Sequence, residues 1–382
     1  SMLACLNELK YLSLSDCGKL VQLPALTNLN RFKIVSCNKI QSIGSLAQSQ
    51  SLTMLIVIEC PGLLDFTFLQ QIKHLASLTI RESNIKDVSF ISELTSLKRV
   101  DLRRCFNIQT GLDLKNLKGL SHFYLGEYPR QRSLSKLSEG SLINLIINLE
   151  FLRHNTDLEV LSLRWCGCLG TLLGIDELLK IKYIDVSACQ NLTGIGCLKK
   201  LPNLQVLNIE NCEKLRQLPE FNPTSKLSRI DVTNCLRIGS IESVRVLPSL
   251  HDVKGFHPDE TAEVLAHTAV LRNDAAFIDK HAQGWLQQIQ QMDGAAQEER
   301  ERFATTLGDA LSLLGESPHA ETYETYLASS PEFSASPWKA WFAGTREVSR
   351  WELMRVRVER QELANANPGC IGGVCASLSG GD

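Results

Sequence analysis

The sequence predicts an α/β protein in which a curved parallel sheet is followed by a small all-α C-terminal domain. Three observations support this fold class. A segment of the form L-x-x-L-x-L-x-x-C recurs ten times at a spacing of about 23 residues, the composition changes near residue 257, and apolar residues beyond that point recur at helical spacing. The first observation is the signature of a leucine-rich-repeat solenoid, in which each repeat adds one strand to a concave sheet.

The ten segments end at one equivalent position, which we call the slot. In a segment such as LKYLSLSDC the leucines point into the core, and the residues between them face the concave side because side chains alternate along a strand. A last half-repeat, VLPSLHDVKGF, closes the pattern near Phe256. We therefore expect a solenoid of about ten to eleven repeats over residues 1–256. The slots are Cys17, Cys37, Cys60, Ser83, Cys105, Tyr128, Cys166, Cys189, Cys212 and Cys235.

The period fails once, between Tyr128 and Cys166, where 38 residues separate two slots. The insertion lies near 129–155, and its first part, near YPRQRSLSKLSEGS, is polar and begins with Pro129. These features predict a loop that leaves one face of the solenoid and contacts the ligand. The apolar run SLINLIINLEFL then resumes the core.

The C-terminal third of the chain has a different composition. From about residue 257 alanine, glutamine and glutamate rise, and the runs HPDETAEVLAHTAVLR, DAAFIDKHAQGWLQQIQQM and EERERFATTLGDALSLLG place apolar residues at helical spacing. We expect an α-helical domain over 257–363 that covers the apolar edge of the last repeat. Residues 364–382 are rich in glycine and predict a flexible tail.

Composition favours an intracellular protein without a membrane segment. The formal net charge of -2 gives no global basic field, and no apolar run of 18 residues occurs. Eight of the thirteen cysteines occupy slots, where a small buried apolar side chain is needed, so they predict reduced thiols rather than a disulfide framework. Reduced thiols indicate a cytoplasmic or nuclear location.

At the slots, and in the asparagine- or glycine-rich turns after them, the chain resembles the cysteine-type leucine-rich-repeat proteins. It looks most like the trypanosomatid expression-site-associated leucine-rich-repeat family, whose final repeat ends in a motif similar to LPSLHDVKGF here. The resemblance covers residues 3 to 256. Family members often carry a RING-type zinc domain, which implies ubiquitin-pathway adaptors, but no such cysteine and histidine pattern occurs in this chain.

Arginine, tyrosine and tryptophan gather in the middle of the predicted sheet, on the concave positions of the fourth to eighth repeats. These residue types dominate binding hot spots. The alternative interpretation is that an open sheet face must carry polar residues in any case. The predicted partner-binding residues are Arg81, Arg99, Arg103, Arg104, His122, Tyr124, Arg164, Trp165 and Tyr183.

These patterns predict a non-enzymatic scaffold or adaptor that binds a protein on its concave face. RNA is a weaker candidate, because Glu82, Asp101 and Glu127 dilute the attraction of the arginines for phosphate. No membrane partner, small-molecule substrate, cofactor, metal or catalytic residue is predicted.

The alternative function is a ubiquitin-ligase-type effector or adaptor, in which the repeats select the substrate and the helical domain recruits or performs ubiquitin transfer. Ligases of this layout use a cysteine in a C-x-D setting, whereas Cys370 is followed by isoleucine and glycine. Cys370 and Cys375 also lack the second pair or the histidines that a zinc site needs.

Overall fold

A computed structural model describes residues 8–109, 112–127, 146–239, 241–292, 297–311 and 313–314, together with His319 and Thr322. The chain forms two compact units, residues 1–273 and residues 274–382. The first unit contains the repeats.

The described repeats form one sheet of eleven parallel strands, which are neighbours in the order of the sequence. This confirms the predicted solenoid. Each strand includes the second consensus leucine position and ends before the slot, as in RVDLR of the fifth repeat. The strands are β1 Tyr11–Ser15, β2 Arg31–Val35, β3 Met54–Ile58, β4 Ser77–Arg81, β5 Arg99–Arg103, β6 His122–Gly126, β7 Val160–Arg164, β8 Tyr183–Asp185, β9 Val206–Asn208, β10 Arg229–Asp231 and β11 Asp252–Lys254.

The core lies between the sheet and the return segments of the repeats. In β5, Val100 and Leu102 point inward and are fully buried, as alternation predicts. Several return segments form short 3-10 helices that add inward leucines, such as Leu46 and Leu198. These helices span Gly44–Gln48, Thr67–Gln71, Ser89–Glu93, Glu150–Leu152 and Gly196–Lys200.

The residue before each slot has a left-handed backbone conformation. In nine of the ten, the N–H of this residue donates to a carbonyl of the following repeat, as from Arg104 to Gly126 at 2.7 Å and from Trp165 to Ser187 at 2.9 Å. This bond extends the sheet by one residue and offsets the cost of a positive φ, which is about 1–2 kcal/mol for a residue with a Cβ. The residues are Asp16, Ser36, Glu59, Glu82, Arg104, Glu127, Trp165, Ala188, Asn211 and Asn234.

The slot cysteines are buried in most of the described repeats. Their thiols donate weak hydrogen bonds to strand carbonyls; for example, Cys189 Sγ lies 3.2 Å from the oxygen of Leu163 in the preceding repeat. Burial raises the pKa of Cys105 and Cys166 to about 12. A thiol with such a pKa stays protonated and unreactive at neutral pH.

The solenoid resumes after the predicted insertion, of which residues 128–145 lie outside the described ranges. Asn155 is fully buried, and its Nδ2 donates to the carbonyl oxygens of Leu114 and Leu117, both at 2.9 Å. One amide side chain thus links the two repeats that flank the insertion, although they are about 40 residues apart in sequence.

The end of the sheet is covered by helix α2 (Pro258–Arg272), which contacts β11, and a short helix, α1 (Glu242–Arg245), lies in the return segment between β10 and β11. Val264 of α2 is fully buried in the repeat core, and Thr268 Oγ1 donates to the oxygen of Leu250 at 2.9 Å. An ion pair between Arg245 and Glu263, 2.5 Å apart and both largely buried, joins the two helices.

The position of α2 differs from the predicted domain boundary at 256/257. Because its apolar face packs on the last repeat, α2 belongs to the first compact unit, which ends at Asn273. The predicted helical domain therefore contributes its first helix to the solenoid as a cap, as an exposed last repeat requires.

The described part of the second unit contains helices α3 (Ala275–Gln291) and α4 (Gln297–Leu311). Asp274 caps α3 by accepting a hydrogen bond from the N–H of Phe277 at 3.0 Å. The two helices pack together, and Ile278, Trp285 and Phe303 are buried as their helical spacing predicts. The predicted tail over 364–382 lies outside the described residues.

Candidate functional site

The open face of the sheet arranges the predicted site residues in rows. Strand pairing places Arg99, His122 and Tyr183 in the first row, with Val160 between the last two. The middle row contains Asp101 and Tyr124, and adjacent strands lie about 4.8 Å apart. The predicted residues of β5 and β6 are therefore direct neighbours.

A buried aspartate holds the arginines of this surface. The Asp101 carboxylate is fully buried and lies 2.5 Å from Nη2 of Arg81, 2.9 Å from Nη2 of Arg103 and 3.8 Å from Nη2 of Arg99. The three arginine side chains remain 30%, 21% and 36% exposed. Burial raises the pKa of Asp101 to about 6, and the charges of Arg81 and Arg99 act in the opposite direction.

Tyr124 lies beside this aspartate and supports two of the guanidinium groups. The Cζ atoms of Arg99 and Arg103 lie 4.5 Å and 4.9 Å from the centre of the Tyr124 ring. Arg99 also donates a hydrogen bond to the Tyr124 hydroxyl at 3.2 Å, and the His122 ring stacks at 6.4 Å. Burial and the charge of Arg99 lower the pKa of His122, which favours its neutral form.

We call Arg81, Arg99, Asp101, Arg103 and Tyr124 the central cluster. Its arginines are held by a fixed anion and a fixed ring, so they lose little side-chain entropy when a ligand contacts them. Each cation–π contact at an exposed site stabilises the position of its arginine side chain by about 0.5–1 kcal/mol. The cluster is therefore a rigid surface that retains solvent-accessible donors.

Arg104 and Trp165 lie beside the strand rows, in the left-handed position before the slot. The Arg104 guanidinium bridges the carboxylates of Glu82 at 3.1 Å and Glu127 at 3.3 Å, and it is 19% exposed. Trp165 is partly buried in the equivalent position two repeats further on. These two residues border the central cluster rather than forming part of it.

The remaining predicted residues surround a second buried aspartate. Tyr183 donates a hydrogen bond to Asp185 Oδ2 at 3.2 Å, and Nε of Arg164 lies 3.8 Å from the same oxygen. Burial, followed by the charge of Asp185, raises the pKa of Tyr183 to about 12. Asp185 also accepts bonds from the N–H and hydroxyl of Ser187 at 3.1 Å and 2.7 Å, so it supports the strand end.

The structure shows a further surface that the sequence prediction missed. All three outward residues of β3, Met54, Ile56 and Ile58, are apolar and partly exposed, and Val35 of β2 pairs with Ile58. We call these four residues the β3 patch. The signal was the uninterrupted apolar run MLIVI in a strand with one open face, where alternation would place polar residues.

Two kinds of feature are absent from the part of the chain that the structure describes. There, no group of three or more histidine, cysteine or acidic side chains has the arrangement of a metal site. No helix within the same ranges has the length and hydrophobicity needed to cross a membrane. Cys370 and Cys375 lie outside those ranges.

Comparison with known proteins finds no matching family model. A putative disease resistance protein of Arabidopsis thaliana is 28% identical over 221 residues, which is 50% of this chain and 17% of that protein. The chain thus matches only a small part of this relative. The finer resemblance to the trypanosomatid family is not confirmed and stays a prediction.

The solved structures that match this chain include leucine-rich-repeat proteins of low sequence identity. An internalin, InlF, of Listeria monocytogenes is 18% identical with a TM-score of 0.36, covering 69% of this chain and 86% of that one. The leucine-rich-repeat domain of the type III effector XopL is 19% identical with a TM-score of 0.38, covering 64% and 76%. The fold assignment rests on the eleven strands and their register, and these neighbours carry no conclusion about a partner.

Proposed function

We propose that this chain is a non-enzymatic scaffold or adaptor that binds a protein partner on its concave sheet face. The observation that supports this most directly is the fixed position of Arg99 and Arg103 on the ring of Tyr124. Arginine and tyrosine are enriched among the residues that contribute most to protein interfaces, and rigid side chains lose little entropy on binding.

The charge balance of this surface supports a protein rather than RNA as the partner. The four arginines at positions 81, 99, 103 and 104 lie against the carboxylates of Glu82, Asp101 and Glu127. Binding to a polyphosphate requires many uncompensated cations, because its affinity comes mainly from neutralising phosphates. Nearly balanced charge instead suits directional hydrogen bonds to a protein surface.

The first step of the test identifies the partner. A photo-crosslinking amino acid replaces Val160, which lies in the strand row between His122 and Tyr183. The full chain is crosslinked in extracts of its source cells, and captured proteins are identified by mass spectrometry. The same amino acid at Lys199, on a return-segment helix, serves as the control for non-specific capture.

The second step measures affinity for the purified partner. Arg103→Ala and Trp165→Ala should each weaken binding at least tenfold, since truncating a hot-spot residue costs about 2 kcal/mol or more. Lys199→Ala should leave the affinity unchanged. Unchanged affinity in both concave-face variants, with folding verified by circular dichroism, would contradict the proposal.

The ubiquitin-ligase-type alternative remains a prediction from the layout of the chain. Its candidate cysteine, Cys370, lies outside the described residues, and no observation within them favours ubiquitin transfer.

A further inference from the structure

The β3 patch is a second surface on the same sheet face, and its composition is unusual for an open strand. Met54, Ile56 and Ile58 occupy all three outward positions, while Leu55 and Val57 fill the core. A strand with one solvent-exposed face normally carries polar residues on that face, because apolar surface that stays in contact with water contributes no hydrophobic stabilisation. Val35 extends the patch onto β2, so the apolar side chains are contiguous.

Basic side chains border the patch on its β2 side. Strand register places Arg31 next to Met54 and Lys33 next to Ile56, whereas Arg81, next to Ile58 on β4, is already paired with Asp101. The opposite charge is present at one corner, where the Glu59 carboxylate accepts a hydrogen bond from Ser36 at 2.7 Å. The patch is thus an apolar strip with a positive border along β2.

We propose that the β3 patch anchors bulky apolar side chains of an acidic segment of the partner protein. This inference rests on the proposed function and specifies the partner's chemistry. An apolar side chain on Ile56 and Ile58 removes exposed apolar surface from water, while glutamate or aspartate beside it meets Arg31 and Lys33. A basic segment would meet like charges, and a purely polar acidic one would leave the strip uncovered.

The experiment uses three fluorescein-labelled peptides of equal length and the full chain in solution. The first peptide combines leucine with glutamate, the second leucine with lysine, and the third serine with glutamate. Fluorescence polarisation should show that the leucine–glutamate peptide binds at least tenfold more tightly than either of the others. Equal binding of the three peptides, or no binding of the first at millimolar concentration, would overturn the proposal.

Matched variants locate the binding surface. Ile56→Thr keeps the β-branched shape and should weaken binding of the leucine–glutamate peptide at least fivefold. Leu64→Thr is the control, because Leu64 is 56% exposed but lies outside the strands. An equal loss in both variants would indicate non-specific apolar adhesion and would refute the site.

A charge variant provides an independent measurement if Ile56→Thr does not fold. Lys33→Glu changes a partly exposed position and should reduce the preference for glutamate over lysine at least fivefold. Lys39→Glu, at an exposed position after the slot, should leave the preference unchanged. An unchanged preference in Lys33→Glu would contradict the proposed role of the basic border.

Two outcomes separate this inference from the proposed function. If Arg103→Ala weakens partner binding and Ile56→Thr does not, the scaffold function stands and the β3 anchor is wrong. If sedimentation shows that Ile56→Thr converts a dimer into a monomer, a second copy of the chain covers the patch and the acidic-segment proposal is also wrong.

Discussion

Gly126 lies at the centre of the concave surface, and its replacement by alanine should be severely destabilising. Its φ is +79°, a conformation that L-residues rarely adopt. A Cβ at this position would overlap the carbonyl oxygen of Arg164 on the neighbouring strand. That oxygen already accepts the hydrogen bond from the N–H of Glu127 at 2.8 Å.

The expected cost follows from two effects. Placing a Cβ in the left-handed region costs about 1–2 kcal/mol, and displacing Arg164 weakens a buried backbone hydrogen bond that contributes about 1 kcal/mol. Together they predict that Gly126→Ala lowers the free energy of unfolding by about 2–3 kcal/mol. Because Arg103 pairs with Gly126 in register, the same change should also displace the central cluster and weaken partner binding.

Urea denaturation followed by circular dichroism measures this cost, and Gly119→Ala is the matched control. A Cβ on Gly119 would meet no atom within 4 Å, and its φ lies outside the left-handed region. This variant should change the free energy of unfolding by less than about 0.5 kcal/mol. Similar stabilities of the two variants would show that the β6–β7 junction tolerates a side chain, and the reasoning would fail.

Three further predictions concern stability and thiol chemistry. Burial, followed by the charge of Arg245, lowers the pKa of His267 to about 4, so the folded state resists a proton that the unfolded chain accepts below about pH 6.5. The free energy of unfolding, measured by urea titration, should therefore fall by about 2 kcal/mol from pH 7 to pH 5 because of this residue. If the pH dependence of His267→Gln were the same as that of the original protein, the prediction would be wrong. Arg245→Ala should lower the free energy of unfolding by about 3 kcal/mol in the same assay, because it deletes the cation 2.5 Å from the buried Glu263 carboxylate. The control Glu242→Ala, whose side chain is 43% exposed, should lower it by less than about 1 kcal/mol. Thiol titration should find few reactive groups in the native protein and about thirteen after denaturation without reductant, and quantitative disulfide formation in fresh protein would exclude reduced slots.

Part of the candidate site could be predicted from sequence, because strand alternation is a local property. LKRVDLRRC assigns Val100 and Leu102 to the core and Arg99 and Arg103 to the open face, as the structure shows. Alternation does not reveal that Asp101 is fully buried on that same face. Its surroundings come from neighbouring repeats: Arg81 pairs with its carboxylate, and Tyr124 lies beside it on the next strand.

The β3 patch illustrates a different limit. A run such as MLIVI is equally typical of a strand buried on both faces, so the sequence alone does not indicate an open apolar surface. The strand pairing decides the matter, because it places Lys33 and Thr79 beside Ile56 and leaves the outward side chains partly exposed.

The repeat, its strands, its inward leucines and its slots could all be predicted from the sequence, because each repeat must bury the same apolar face against its neighbours. The left-handed residue before each slot could not, because side chains such as Glu82 and Trp165 carry no glycine signal there, and only the folded solenoid shows its conformation. The tertiary structure also decided that α2 belongs to the solenoid, although the composition changes before it. In both cases the stabilising contacts come from the adjacent repeat, so the local sequence contains only one half of each interaction.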